Sequence, residues 1–77
     1  MRTIKKVSIR RLGSTSNYSN YSRWSLHVTF MDNITVYEPI VDHKRCALLN
    51  SQEAEEAAEA MLDEQYPSWR VDLTGVG

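Results

Sequence analysis

The segment between Asn50 and Pro67 constrains this chain most, because both of its ends are marked. Asn50 is a preferred helix-capping residue, and Glu53 follows three positions later to complete a capping-box pair. Gln52 through Gln65 are nearly all good helix formers. At about 100° per residue, Ala54, Ala57, Ala58, Met61 and Leu62 share one face, with Tyr66 at its margin. Pro67 disfavours helical geometry at Tyr66 and stops the helix. Three of the six residues on the apolar side are alanine, so the helix is expected to sit close against a sheet.

The sheet is written upstream. Trp24, Leu26, Val28 and Phe30 alternate with Ser25, His27, Thr29 and Met31, which puts large apolar groups on one face of a strand. Asp32-Asn33 then separates this run from Ile34-Thr35-Val36-Tyr37, predicting a tight hairpin. Pro39 has no amide hydrogen, so the second strand is expected to end near it, bulge there or lie on an edge. Thr3–Leu12 reads as a weaker strand, with Val7 and Ile9 in alternation but Ile4 out of parity. Gly13–Arg23, with its duplicated Asn-Tyr-Ser, reads as a long loop. Asp42-His43-Lys44-Arg45 reads as a polar turn, after which Cys46-Ala47-Leu48-Leu49 leads back to the core. Trp69-Arg70-Val71-Asp72-Leu73 alternates again and is expected to be a last strand.

The expected fold is therefore α+β, in the order β-β-β-α-β: three to four mainly antiparallel strands with one helix on one face. The expected core is Leu26, Val28, Phe30, Ile34, Val36, Ala54, Ala58, Met61, Leu62, Val71 and Leu73. Seventy-seven residues are read as a single domain, 1–77. A chain of this size buries only about 60% of its unfolded surface, leaving little stability for a strained, buried active site. One cysteine allows no intramolecular disulfide, which suits a reducing compartment. The basic stretch 1–11 is not followed by an apolar run, so neither a secretory signal nor a membrane span is expected. The expected location is the cytoplasm, and the Asn-x-Ser/Thr triplets at Asn17, Asn20 and Asn33 are read as incidental.

Charge is distributed unevenly. Residues 1–45 hold eight Lys/Arg against three Asp/Glu (+5), and residues 46–77 hold one against seven (−6), for the net −1. Such a split implies either two faces of opposite potential or halves that pair within the fold. On the helix, Glu56, Glu59 and Asp63 form a stripe opposite the apolar face, with Glu55 beside it. No Lys or Arg lies between Gln52 and Pro67 to relieve the repulsion by i,i+4 pairing. An uncompensated acidic face suits a basic partner, or else simply solubilises the chain.

Catalytic and metal chemistry find little support. Asp42-His43-x-x-Cys46 has ligand-type residues, but zinc needs about four ligands and His27 is the one other soft candidate. Cys46 lies in an apolar run, where a thiol acts as a small hydrophobe expected to be buried. No phosphate-binding loop is present, and the helical carboxylates are expected on an exposed face, unsuited to a raised pKa. No enzyme activity, cofactor or metal is expected. A nucleic-acid reading uses Lys5, Lys6, Arg10 and Arg11 with Tyr18, Tyr21, Arg23 and Trp24, since phosphates attract the cations and bases stack on exposed rings. The pI near 6.1 weighs against it.

In layout, Trp24–Val76 resembles small phage-encoded inhibitors of host machinery, such as anti-CRISPR proteins and a phage inhibitor of bacterial RNA polymerase. The shared features are a hairpin, an acidic Ala-rich helix (Glu53-Ala54-Glu55-Glu56-Ala57-Ala58), the Tyr66-Pro67 exit and a final strand. The resemblance implies a non-enzymatic protein in a host cytoplasm that occupies a surface of a host protein or nucleoprotein complex. The expected partner-binding residues are Glu55, Glu56, Glu59 and Asp63 on the helix, and Tyr18, Tyr21 and Arg23 at the loop. The alternatives are a nucleic-acid-binding module and a structural domain that associates with itself through a sheet edge.

Overall fold

The computed structural model describes residues 3–13 and 21–75. In chain order the elements are strand β1 (Ile4–Gly13), strand β2 (Arg23–Phe30), strand β3 (Thr35–Pro39), helix α1 (Ser51–Gln65) and helix α2 (Trp69–Thr74). The three strands form one antiparallel sheet with β2 in the centre. The α+β class and the helix on one sheet face are as the sequence implies.

Register explains the parity of β1. Val7 pairs with Val28 and Ile9 with Leu26, so these side chains share the helix-facing side of the sheet. Ile4 pairs with Phe30, and the register shifts between Ile4 and Lys6. One extra residue in β1 thus returns Ile4 to the inner face, where it is fully buried. The parity break in the sequence is a β-bulge.

The β2–β3 connection has three loop residues. The amide of Phe30 donates to the Ile34 carbonyl and that of Asn33 to the Phe30 carbonyl, with Asn33 at φ 68°. Asn tolerates this left-handed conformation, and it closes a three-residue hairpin where the sequence implied two. Pro39 ends β3, an edge strand, as its missing amide requires. Ile40 and Leu49 then plug the core, and Ser22 and Leu49 exchange backbone hydrogen bonds of 2.9–3.0 Å.

The α1 N-terminus carries the expected capping box: the Glu53 amide donates to Asn50 Oδ1 (2.8 Å), and the Asn50 amide donates to Glu53 Oε1 (3.1 Å). The helix buries Ala54, Ala57, Ala58 and Leu62 against the sheet. The Tyr66 ring meets Phe30 edge-on at 5.8 Å.

The last element departs from expectation. Trp69–Thr74 is a short helix, not a fourth strand. The spacing Trp69-x-Val71-x-Leu73 fits a strand's period of two, but Trp69 and Leu73 are also i,i+4 neighbours on a helix. Local chemistry selects the helix. The Trp69 amide donates to the Tyr66 carbonyl and the Asp72 amide to the Ser68 carbonyl, while Gly75 at φ 70° supplies the left-handed stop. Asp72 Oδ2 also accepts the Ile4 amide at 3.1 Å, so a carboxylate stands where a fourth strand would have offered a carbonyl.

The core changes accordingly. Leu26, Val28, Phe30, Ala54, Ala58 and Leu62 are buried as expected, and Val36 and Met61 pack partly against them. Ile34, Val71 and Leu73 are exposed. Ile34 sits at the hairpin end of edge strand β3, whereas the helices lean toward β1. Val71 and Leu73 lost the strand geometry that would have buried them. Ile4, Ile40, Leu49 and Ala57 complete the core.

Candidate functional site

The two faces of the sheet differ in chemistry. Because paired residues share a face, Lys6, Ser8 and Arg10 lie with Thr29, His27 and Ser25 on the side away from the helices, and Tyr37 joins His27 there. The Tyr37 ring is 65% exposed and stands edge-on to His27 at 4.5 Å. Among the described residues no element covers this outer face. Across the sheet, α1 presents Glu55, Glu56, Glu59 and Asp63, all exposed.

The charge asymmetry of the sequence therefore becomes an asymmetry through the thickness of the fold. The three strands carry five Lys/Arg against one acid, and the two helices carry seven acids against one Arg. Among the described residues no salt bridge joins the two halves. The salt bridges between described residues both belong to Arg70, itself in the C-terminal half. On the strand side, Lys5 Nζ donates to Asn33 Oδ1 (2.9 Å) and Arg11 Nε to Ser22 Oγ (2.6 Å).

Arg70 alters the acidic stripe. The turn of α2 brings its guanidinium 3.6 Å from Asp63 and 3.9 Å from Glu59, stacked over the Trp69 ring at 4.5 Å. The Trp69 indole also donates to Asp63 Oδ1 at 2.8 Å. The lower stripe is thus partly compensated by a residue beyond the helix, which the local i,i+4 rule did not foresee. Glu56 lies at the other end of the stripe, beside a shallow depression shared with Asp42, His43, Glu53, Ala57 and Ala60.

At the loop, Tyr18 lies outside the described residues, while Tyr21 and Arg23 are exposed. Tyr21 lines an open cleft of about 480 Å³ with Arg11, Trp24 and the start of α1. Trp24 is half-buried on the inner face, and its indole donates to the Leu49 carbonyl at 2.8 Å. This bond gives Trp24 a structural role. The outer-face pair His27 and Tyr37 was missed as a surface feature. The signal was the alternation itself, which fixes what lies opposite Val28 and Val36.

The turn at Asp42 is structural. Its Oδ1 accepts the amides of Cys46 (2.8 Å) and Lys44 (2.9 Å), and Arg45 takes φ 64° to close the turn. The Cys46 amide, more than any other group, holds the Asp42 carboxyl below its ordinary value, with help from the Lys44 amide and the charges of His43 and Lys44. Cys46 is exposed, contrary to the buried thiol expected. The tight turn ends before the chain re-enters the core at Leu49. Among the described residues no group of three or more His, Cys, Asp and Glu is placed to hold a metal ion.

Comparison with protein-family models, with curated proteins and with solved structures finds no match to this chain. No helix among the described residues is long and apolar enough to cross a membrane.

Proposed function

We propose that this protein is a non-enzymatic binding protein that occupies a basic surface of a protein or nucleoprotein complex through its helical layer. The supporting observation is the division of charge: seven acids to one base in the helices, five bases to one acid in the strands. Such a molecule has a strong orienting dipole and approaches a basic site with α1 leading. An acidic helical face is a fit occupant for a groove that otherwise holds a nucleic-acid backbone. The hairpin and the acidic Ala-rich helix resemble the layout of small phage-encoded inhibitors such as anti-CRISPR proteins, although the final strand of that layout is replaced here by helix α2. The setting this resemblance implies is the cytoplasm of a host cell.

The test changes Glu55, Glu56, Glu59 and Asp63 to their amides together and measures association with a partner captured from host lysate treated with nuclease. The fold is expected to survive, because all four side chains are exposed. Association is expected to slow by about tenfold or more at low salt and to lose most of its salt dependence. Unchanged rates at every salt concentration would sink the reading.

A second reading rests on the outer sheet face. Exposed Tyr37 and its neighbour His27 lie among Lys6, Arg10 and Ser8, a combination suited to single-stranded nucleic acid. Binding of a generic oligonucleotide that weakens with salt and with Tyr37→Ala would favour it over the acidic face.

A further inference from the structure

Among the described residues strand β1 is one edge of the sheet, and its backbone can be assigned a direction. The Phe30 amide donates to Ile34, and the Trp24 carbonyl accepts from Ile40, so these residues of β2 point their backbone groups at β3. In an antiparallel ladder that direction alternates. Ser25, His27 and Thr29 therefore point theirs at β1, where they meet Arg10, Ser8 and Lys6. Val7, Ile9 and Arg11 must turn their amides and carbonyls outward, away from β2. At the start of the strand Asp72 receives the Ile4 amide, but α2 ends at Thr74.

Beneath this outward edge runs an apolar groove of about 270 Å³. Val7 and Ile9 form its wall, Ala58 and Leu62 its α1 side, and Trp69 and Leu73 its α2 side. Glu55 and Glu59 stand on the rim. The groove is smaller than the roughly 300–1,000 Å³ usual for a small-molecule site. It is suited instead to the alternate side chains of an extended segment.

We infer that the β1 edge accepts an added strand from a partner protein, one whose side chains alternate between apolar and acidic. Pairing with Val7, Ile9 and Arg11 supplies the backbone hydrogen bonds. One set of the segment's side chains then enters the groove, so it is apolar. The other set emerges on the outer face of the sheet beside Lys6 and Arg10, where acids are complementary. Alternation is required, because a uniformly acidic segment would place carboxylates against Glu55 and Glu59. Charge also argues against a second copy of this chain. Any two-fold antiparallel pairing of two β1 edges gathers Lys6 and Arg10 of both copies on one outer face, and in the register centred on Ser8 each Lys6 directly faces an Arg10. This inference goes beyond the helical-face reading and calls on a different surface with the opposite charge preference, so either can fail alone.

The test titrates the intact protein with a capped peptide of about seven residues alternating Glu and Val, and with its Lys and Val counterpart, while following amide hydrogen exchange by NMR. The Glu peptide is expected to bind at least about tenfold more tightly than the Lys peptide, and the preference is expected to reverse in the Lys6→Glu, Arg10→Glu double variant. Exchange at the Val7, Ile9 and Arg11 amides is expected to slow. N-methylation of every second peptide amide provides a check that alters no residue of the protein: one parity abolishes binding and the other leaves it. Equal binding of the two peptides, binding by neither, slowed exchange elsewhere than β1, or indifference to methylation parity would each overturn the proposal. So would a stable β1-protected dimer without peptide.

Discussion

Two stretches of this chain alternate apolar and polar residues, and they fold differently. Trp24–Phe30 is the central strand, while Trp69–Thr74 is a helix. The first run is flanked by partners on both edges, and its inner side chains meet α1. The second is shorter, follows Pro67, and has Gly75 at its end. Over five residues a period of two cannot be told from an i,i+4 pair, so capping and turn hydrogen bonds decide the outcome. Alternation specifies a strand only when it persists long enough to exclude the helix and when a neighbour supplies the ladder.

The sharpest way to break this comparison is to truncate one residue from each run. Leu26 is 1% exposed and Leu73 is 41% exposed. Leu26→Ala should cost about 2–5 kcal/mol in chemical denaturation, since it removes a buried side chain and leaves a cavity. Leu73→Ala should cost well under half of that. Equal losses would mean that α2 belongs to the core after all.

A second substitution tests how closely the helical layer approaches β2. Ala54 is 0% exposed on the sheet side of α1. Ala54→Leu should overpack the interface and cost about 1–3 kcal/mol, read as a lower thermal midpoint. A midpoint equal to the parent's would contradict the close packing of α1 on the sheet.

The third asks what holds α2 in place. Asp72 links it to β1 through the Ile4 amide (3.1 Å) and also receives the Ser68 hydroxyl at 3.5 Å. Asp72→Ala should cost about 1–2 kcal/mol, whereas Asp72→Asn, which keeps an acceptor, should cost less. Amide exchange at Ile4 should quicken in the alanine variant. If Ile4 is as protected as before, the clamp is not what ties the two segments.

These residues also mark what could be read in advance. The capped helix, the Pro39 strand end and the inner face of β2 were legible, because each depends on neighbours in sequence. So was the overall α+β class. The bulge that buries Ile4 was visible as a broken parity, but only pairing with Phe30 gives it meaning. The return to the core at Leu49 was legible as an apolar run, but the burial of Ile40 was not, since it arises where an irregular segment crosses the core. At the candidate site, the acidic face was legible residue by residue. Its partial neutralisation was not, because Arg70 comes from beyond a proline and reaches back through a helix the sequence did not announce.

Arg70 gives the smallest effect on stability and the most direct test of how the two regions interact. Its pairs with Glu59 and Asp63 are 3.9 and 3.6 Å long and more than half exposed, so solvent and salt screen them. Arg70→Gln should therefore change stability by no more than about 0.5 kcal/mol. The same change removes the lone cation of the helical layer and leaves Glu59 and Asp63 unopposed. If that layer steers the protein onto a basic site, association should quicken at low ionic strength, with the gain lost as salt is raised. Dissociation should change less, unless Arg70 itself lies within the interface. Stopped-flow mixing with the captured partner across a salt series separates these cases. A slower association in the variant would show that Arg70 contributes a contact, and the acidic stripe would then have to be redrawn to exclude Asp63. No change in either rate would mean that the lower stripe, for all its charge, faces away from the partner.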